Sequence, residues 1–278
     1  GVSVSNLSAD TLTVTWTGAV DELRLAIIND NYEHDVYLLE ADKVYLQQET
    51  IELESSCHIV GAPYGDGEHP ATIQPYPLAD GQSGFSGWPQ TNFKTHGEDQ
   101  SYEFKNLLFN GMFADGSQSL FGVLSTYGER NSILVDHVTS VHNQVITYFN
   151  FGHEEHWTLT NNTAVQYTSY PGGMWFGGFF WGGGGWSGGA LESLFIQNNT
   201  IEGTHGQPLV IWDNGLVNRD DNEMIHIDHN TFVNSIVEPR FYRHGNNTHF
   251  TNNLFINQIS GGQTRNSDVT NLAYNNDR

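Results

Sequence analysis

Two of the ten basic residues in this chain, Arg240 and Arg243, lie within four positions of each other, with Tyr242 between them. On a strand with Phe241 turned inward, alternation sends Arg240 and Tyr242 outward. Guanidinium groups placed there suit an anionic sugar, as a bidentate clamp or as a base. They equally suit an ion pair with Asp213, which aligns with Arg243 one repeat earlier. An acidic segment precedes them: Asp213, Asp220, Asp221 and Glu223, with Asn214, Asn218 and Asn222 interleaved. Hard oxygen donors at irregular spacing suit Ca²⁺, and they also suit a solvated loop; the spacing is not that of an EF-hand. A third group lies in the glycine-rich run 171–189, where Trp175, Trp181 and Trp186 offer flat faces for pyranose rings and the glycines admit close approach. Trp212 and Tyr242 would extend that platform. The same run would also serve as a loop folded onto the side of the domain, or as a patch that binds another protein.

The remaining polar clusters read as structural. His137 and His229 fall at a repeated bend position. His153-Glu-Glu-His156 lacks zincin spacing and is expected in an exposed loop. No Ser/His/Asp motif, phosphate loop or Cys/His zinc cluster is present.

The elements that must position these residues announce themselves by repetition. Phe104-Lys-Asn-Leu-Leu-Phe, Val135-Asp-His-Val-Thr-Ser, Leu159-Thr-Asn-Asn-Thr-Ala, Ile196-Gln-Asn-Asn-Thr-Ile, Ile227-Asp-His-Asn-Thr-Phe and Phe250-Thr-Asn-Asn-Leu-Phe share one pattern. They follow one another at intervals of 31, 24, 37, 31 and 23 residues. Apolar residues alternate with period two around each anchor, as in Trp157-Thr-Leu159, which signals short strands and not helices. Strands at such a period mean stacked coils. The Asn pair then falls at a bend, where Asn tolerates the left-handed conformation, and copies ~4.8 Å apart would form an amide ladder. Further apolar runs such as Val145-Ile-Thr-Tyr-Phe and Leu209-Val-Ile-Trp make three strands per coil.

The ends differ from the middle. Residues 1–48 hold an alternating strand, Thr11–Trp16, and a segment of helical spacing, Ala19–Ile28, expected to cap the first coil because an open end exposes core and strand edge. Residues 49–257 are the coils, and 258–278 form a polar, Asn-rich tail or a truncated last coil. An uncapped end of this kind would allow end-to-end or side-by-side self-association.

Composition narrows the partners. With 278 residues, 32 Asp and Glu, and a net charge of −22, the chain can bury a substantial core but offers little to neutralise phosphates. Nucleic acid is therefore not an expected partner. An acidic polymer would be repelled unless a divalent cation bridged the two. The single cysteine, Cys57, excludes an intrachain disulfide. No segment has the ~20 apolar residues needed to span a bilayer. The start at Gly1, without basic or apolar leader, is expected of a processed chain or fragment.

Two stretches carry a family resemblance. Asp35-Val-Tyr-Leu-Leu-Glu, Ile51-Glu-Leu, His58-Ile-Val-Gly61 and Pro70-Ala-Thr-Ile73 look like the opening coil of pectate-lyase-like β-helices. Ile227 to Asn234, then Glu238-Pro-Arg-Phe-Tyr-Arg243, Gly245 and His249 to Asn253 resemble that family's His-Asn, Arg-x-Pro-x-x-Arg, Gly and Asn-Asn stretch, and Ser132-Ile-Leu-Val-Asp-His137 resembles its Trp-Ile-Asp-His strand. The resemblance in fold spans roughly residues 35–257; the motifs cover little more than one coil. It implies a single-stranded right-handed parallel β-helix, an all-β solenoid. It further implies a secreted or cell-surface protein that cleaves a uronic-acid polysaccharide by β-elimination, with Ca²⁺ held by carboxylates and an Arg removing the C5 proton. Here Val237 stands at the first Arg of the motif, Pro239 aligns, and Arg243 lies one residue beyond the second Arg. Arg240 is accordingly the expected base, with Arg243 on the uronate carboxylate. The competing expectation is a non-catalytic β-helix for polysaccharide binding, adhesion or assembly; a glycoside hydrolase with paired carboxylates ranks behind both.

Overall fold

The computed structural model describes residues 10–165, 178–182, 191–204, 207–212, 224–235, 239–242 and 247–257, with Trp212 and 240–242 described as backbone. Almost all regular structure among the described residues is β. Three purely parallel sheets contain nine, eight and seven of the described strands, and the chain visits them in rotation. The first sheet stacks Thr11–Val14, Val36–Leu39, Cys57–Gly61, Ser101–Lys105, Ser132–Asp136, Glu155–Thr160, Leu191–Gln197, Met224–Asp228 and Thr248–Thr251. The second runs from Val44–Gln47 and Ala71–Pro75 through Leu107–Asn110 and Thr139–Val141 to Leu254–Ile256. The third stacks Ile51–Leu53, Thr91–Thr95, Gly122–Thr126, Ile146–Asn150, Gly178–Gly182, Leu209–Trp212 and Arg240–Tyr242.

Stacking in register turns the alternating pattern into columns. In the first sheet Ile59, Phe104, Val135, Leu159, Ile196, Ile227 and Phe250 lie one above the other. In the third, Phe93, Leu124, Tyr148, Phe180 and Leu209 do the same. Both columns line one continuous core, whose burial is the main stabilising term.

The bend between first and second sheets is built as the repeat implies. Asn106, His137, Asn161, Asn198, His229 and Asn252 all have φ between 53° and 57°, the left-handed region that Asn tolerates best among residues with a Cβ. The residue after each bend turns inward. Where it is Asn, it accepts a backbone N–H from the coil before and donates to a carbonyl there. Thus Val138 N donates to Asn162 Oδ1, Asn162 N to Asn199 Oδ1, Asn199 N to Asn230 Oδ1 and Asn230 N to Asn253 Oδ1, each at 2.9 Å. The amides donate in turn to Val135, Leu159, Ile196 and Ile227 carbonyls at 2.8–3.0 Å. His137 and His229 serve this bend and point outward, each beside the preceding aspartate.

The helix spans Glu22–Asp30, three residues later than its apolar spacing suggests at the start, because Val20 is taken into a bridge with Leu46. Leu23 and Ile27 are its buried face, set against Val44–Gln47 and Thr11–Val14. Asn31 closes it in the left-handed conformation, its N–H donating to the Ile27 carbonyl. Among the described residues, no helix is long and apolar enough to cross a membrane.

Candidate functional site

The outer face of the third sheet is where the described chemistry gathers. Its strands do not alternate: Gly122–Thr126, Ile146–Asn150 and Gly178–Gly182 are buried on both faces. Inside lies the core. Outside, one register column runs through Glu52, Lys94, Ser125, Phe149, Trp181, Val210 and Arg240. Seven strands at a spacing of ~4.8 Å make it about 29 Å long. Phe149, Trp181 and Val210 form an apolar cluster of their own with Val145, Ile146 and Phe151.

Aromatic rings spread from this column to the surface. His96, Tyr127 and Phe151 each follow the last residue of a third-sheet strand and stack in turn, with centroids 5.5 and 5.2 Å apart and planes within 13° and 19°. Trp88, from the loop before Thr91, sits edge-on to Phe149, Phe151 and Trp181 at 5.9, 5.7 and 6.1 Å. Trp88 is 45% exposed and Tyr127 38%, so both rings are anchored yet face solvent. The Tyr127 hydroxyl donates to the Trp88 carbonyl at 3.3 Å, holding the two in place. Such half-open rings are well suited to planar, C–H-rich faces.

Charge concentrates at the N-terminal end of the column. Glu52 contacts the His96 ring nitrogen and lies 3.9 Å from Lys94 Nζ. Lys94 also donates to the Ser86 carbonyl at 3.4 Å. At the other end, Val210 pairs with Arg240 and Trp212 with Tyr242. Arg240 therefore occupies a register position of the same column, in line with Trp181 and Phe149. Trp212 and Tyr242 share a register position two residues further along.

The expected site residues separate accordingly. Arg240, Tyr242 and Trp212 are brought to one sheet edge. Trp181 is only 8% exposed, its ring taken up by Trp88, Phe149 and Phe151, so it backs the platform and presents little face of its own. Trp175, Trp186, Asp213, Asp220, Asp221, Glu223 and Arg243 lie outside the described residues. Among the described residues, no group of three or more His, Cys, Asp or Glu is placed to hold a metal ion. Trp88, Tyr127, His96 and Glu52 were not reached from the sequence; Trp88 sits in an aperiodic loop, and the other three carry no motif.

A buried acid corrects another expectation. Glu155 is not in an exposed loop: it opens the strand Glu155–Thr160, and alternation turns it inward with Trp157 and Leu159. It has no exposed surface. Its carboxyl lies 2.5 Å from Thr126 Oγ1 and accepts Asn131 Nδ2 and Trp157 Nε1, each at 3.2 Å. Burial pushes its pKa up to about 7 against these donors.

No protein-family model matches the chain, and no curated protein matches its sequence. A solved structure described as a "putative glycosyl hydrolase" from Parabacteroides merdae ATCC 43184 is similar with a TM-score of 0.47 and 11% identity, covering 82% of this chain and 96% of that one. A likeness at that level says nothing about substrate.

Proposed function

We propose that this chain is a right-handed parallel β-helix of the pectate-lyase-like type, acting outside the cell on a uronic-acid polysaccharide laid along the outer face of the third sheet. The observation that carries the reading is the single outward column that joins the half-exposed Trp88 and Tyr127 platform to Arg240. Pyranose faces would rest on the two rings, and the chain would run toward the basic end. There Arg243 would bind the uronate carboxylate and Arg240 would accept the C5 proton. The C5–H electrons would form the C4=C5 double bond, and the glycosidic C4–O bond would break, its oxygen leaving with a proton. Asp213, Asp220, Asp221 and Glu223 are a hard-oxygen set of the kind that holds Ca²⁺; bound there, the ion would offset carboxylate charge and acidify the C5 proton.

The test is ultraviolet absorbance of unsaturated uronate products on a panel of pectate, alginate and mixed uronate polymers, with Ca²⁺ or with chelator. We expect calcium-dependent product growth that Arg240→Ala abolishes. Growth that Arg240→Ala leaves intact removes Arg240 from the chemistry, and no growth on any polymer overturns the lyase assignment. A second reading, a non-catalytic β-helix for polysaccharide binding or assembly, is favoured by Val237 at the family's Arg position and by Leu254, 54% exposed on the last described coil.

A further inference from the structure

Beside the charged end of the platform lies a cleft of about 250 Å³ between the capping helix and the strand Ile51–Leu53. Its floor includes Ile27, 1% exposed, and its rim Ile28, 54% exposed. Arg24, Glu49 and Glu52 supply its charge, and Gly84 and Ser86 form the opposite wall. Arg24 Nη2 lies 3.0 Å from Glu49 Oε2, with both side chains partly exposed at 28% and 48%.

Three features tie the cleft to the platform. Glu52 lines the cleft and also begins the outward column, where it meets His96 and Lys94. Ser86 of the cleft wall holds Lys94 through its carbonyl. Trp88 follows Ser86 by two residues, so one loop shapes both surfaces. That loop is pinned close: a Cβ on Gly84 would come within 2.4 Å of the Gln48 carbonyl oxygen.

The charge of the cleft selects what enters. Its two carboxylates are each already matched by a cation, Glu49 by Arg24 and Glu52 by Lys94, so the cleft holds no surplus positive charge in a chain of −22. A uronate carboxylate only accepts hydrogen bonds, and it would meet Glu49 and Glu52 as like charges. A sugar hydroxyl both donates and accepts, so vicinal hydroxyls satisfy the carboxylates and the spare guanidinium N–H groups together. Ile28 then covers the apolar face of the ring. The volume lies below the roughly 300–1,000 Å³ of drug-sized pockets, which fits one ring and not a branched chain.

We propose that this cleft is a subsite for one uncharged sugar residue, so that the bound polymer is a heteropolysaccharide in which neutral residues accompany uronates, and not a homouronan. The inference rests on the platform reading above. Its test is calorimetric titration of the full chain with a neutral xylohexaose, hexagalacturonate and a glucuronate-substituted xylan oligosaccharide, repeated on Ile28→Trp, Glu49→Gln and Trp88→Ala. Ile28 is exposed, so the Trp variant keeps its fold; thermal melts check all three. We expect Ile28→Trp and Glu49→Gln to weaken the neutral and mixed ligands by on the order of tenfold and to leave hexagalacturonate unchanged. Trp88→Ala should weaken all three ligands. If only Trp88→Ala weakens binding, the cleft proposal fails and the platform stands. If Ile28→Trp also weakens hexagalacturonate, the neutral assignment fails. If wild type binds none of the probes, or Trp88→Ala has no effect, the platform reading fails and takes this inference with it.

Discussion

A carboxyl with no exposed surface has to choose between ionising in place and taking up a proton, and burial tips Glu155 toward the second below about pH 7. Its folded pKa of about 7 lies above the ordinary glutamate value that it regains on unfolding. The stability it contributes is therefore fully present below that ordinary value and is lost as pH rises through 7, an effect of about 3 kcal/mol. A protonated Glu155 can donate to Thr126 Oγ1, which can donate to Asn150 Oδ1 at 3.1 Å, so the neutral form completes a chain of bonds. Glu155→Gln should flatten the fall in urea-unfolding free energy between about pH 5 and 8 and leave the variant more stable than wild type at the alkaline end. An unchanged difference between the two proteins across that range would show that Glu155 stays ionised. This residue was misplaced because His153-Glu-Glu-His156 is polar at every position and hides where the strand begins; the alternation of Trp157 and Leu159, carried back two residues, is the signal that points Glu155 inward. The Asn bends were legible for the opposite reason. Asn meets the conformational demand at Asn106, Asn161, Asn198 and Asn252 and the hydrogen-bonding demand at Asn162, Asn199, Asn230 and Asn253, with His137 and His229 taking the bend in two coils, so the pair recurs visibly.

Secondary-structure elements explain which parts of the platform could be foreseen. The first sheet alternates cleanly, and its strands are readable from period two alone. The third sheet is buried on both faces between Gly122 and Gly182, with Ser125, Thr126, Thr147 and Asn150 buried among apolar residues, so its strands show no alternation that fixes an orientation. That is why Trp181 was expected at a ligand face and is found supporting Trp88. The loop that covers the sheet and brings in Trp88 has no periodicity at all. The capping helix was foreseen from its spacing, although its start was not. Its work is done by Leu23 and Ile27, which close the first coil. Leu23→Ala should cost about 2–5 kcal/mol in urea unfolding, as a large-to-small change in a packed core. A cost near zero would mean that the helix is a passenger and that the first coil is closed without it.

At the scale of the molecule, charge and topology act separately. A net charge of −22 with few cations repels itself in the compact state. Raising NaCl from about 10 to 300 mM should therefore raise the thermal midpoint, because exposed charges more than a Debye length apart become screened. A midpoint that falls or stays level would mean that the few ion pairs, such as Arg130 with Asp99, outweigh the repulsion. This behaviour is readable from composition, as is the expectation that nucleic acid is not a partner. The cleft beside the platform is not, since Arg24, Glu52 and Ser86 come to line one space only after the coils have closed. Topology has a consequence of another kind. Apart from the first pair, which the helix separates, no described strand bonds to its neighbour in sequence; each bonds to the strand one full circuit away. Among the described residues the antiparallel bridge of Met112 with Ser119 is local, whereas the strands of the three sheets pair in parallel over long range, which makes folding slow. A chain delivered from its N-terminus, by ribosome or export channel, would complete the helix-closed turn first and wind each later turn onto a finished template, so order of emergence and order of assembly coincide.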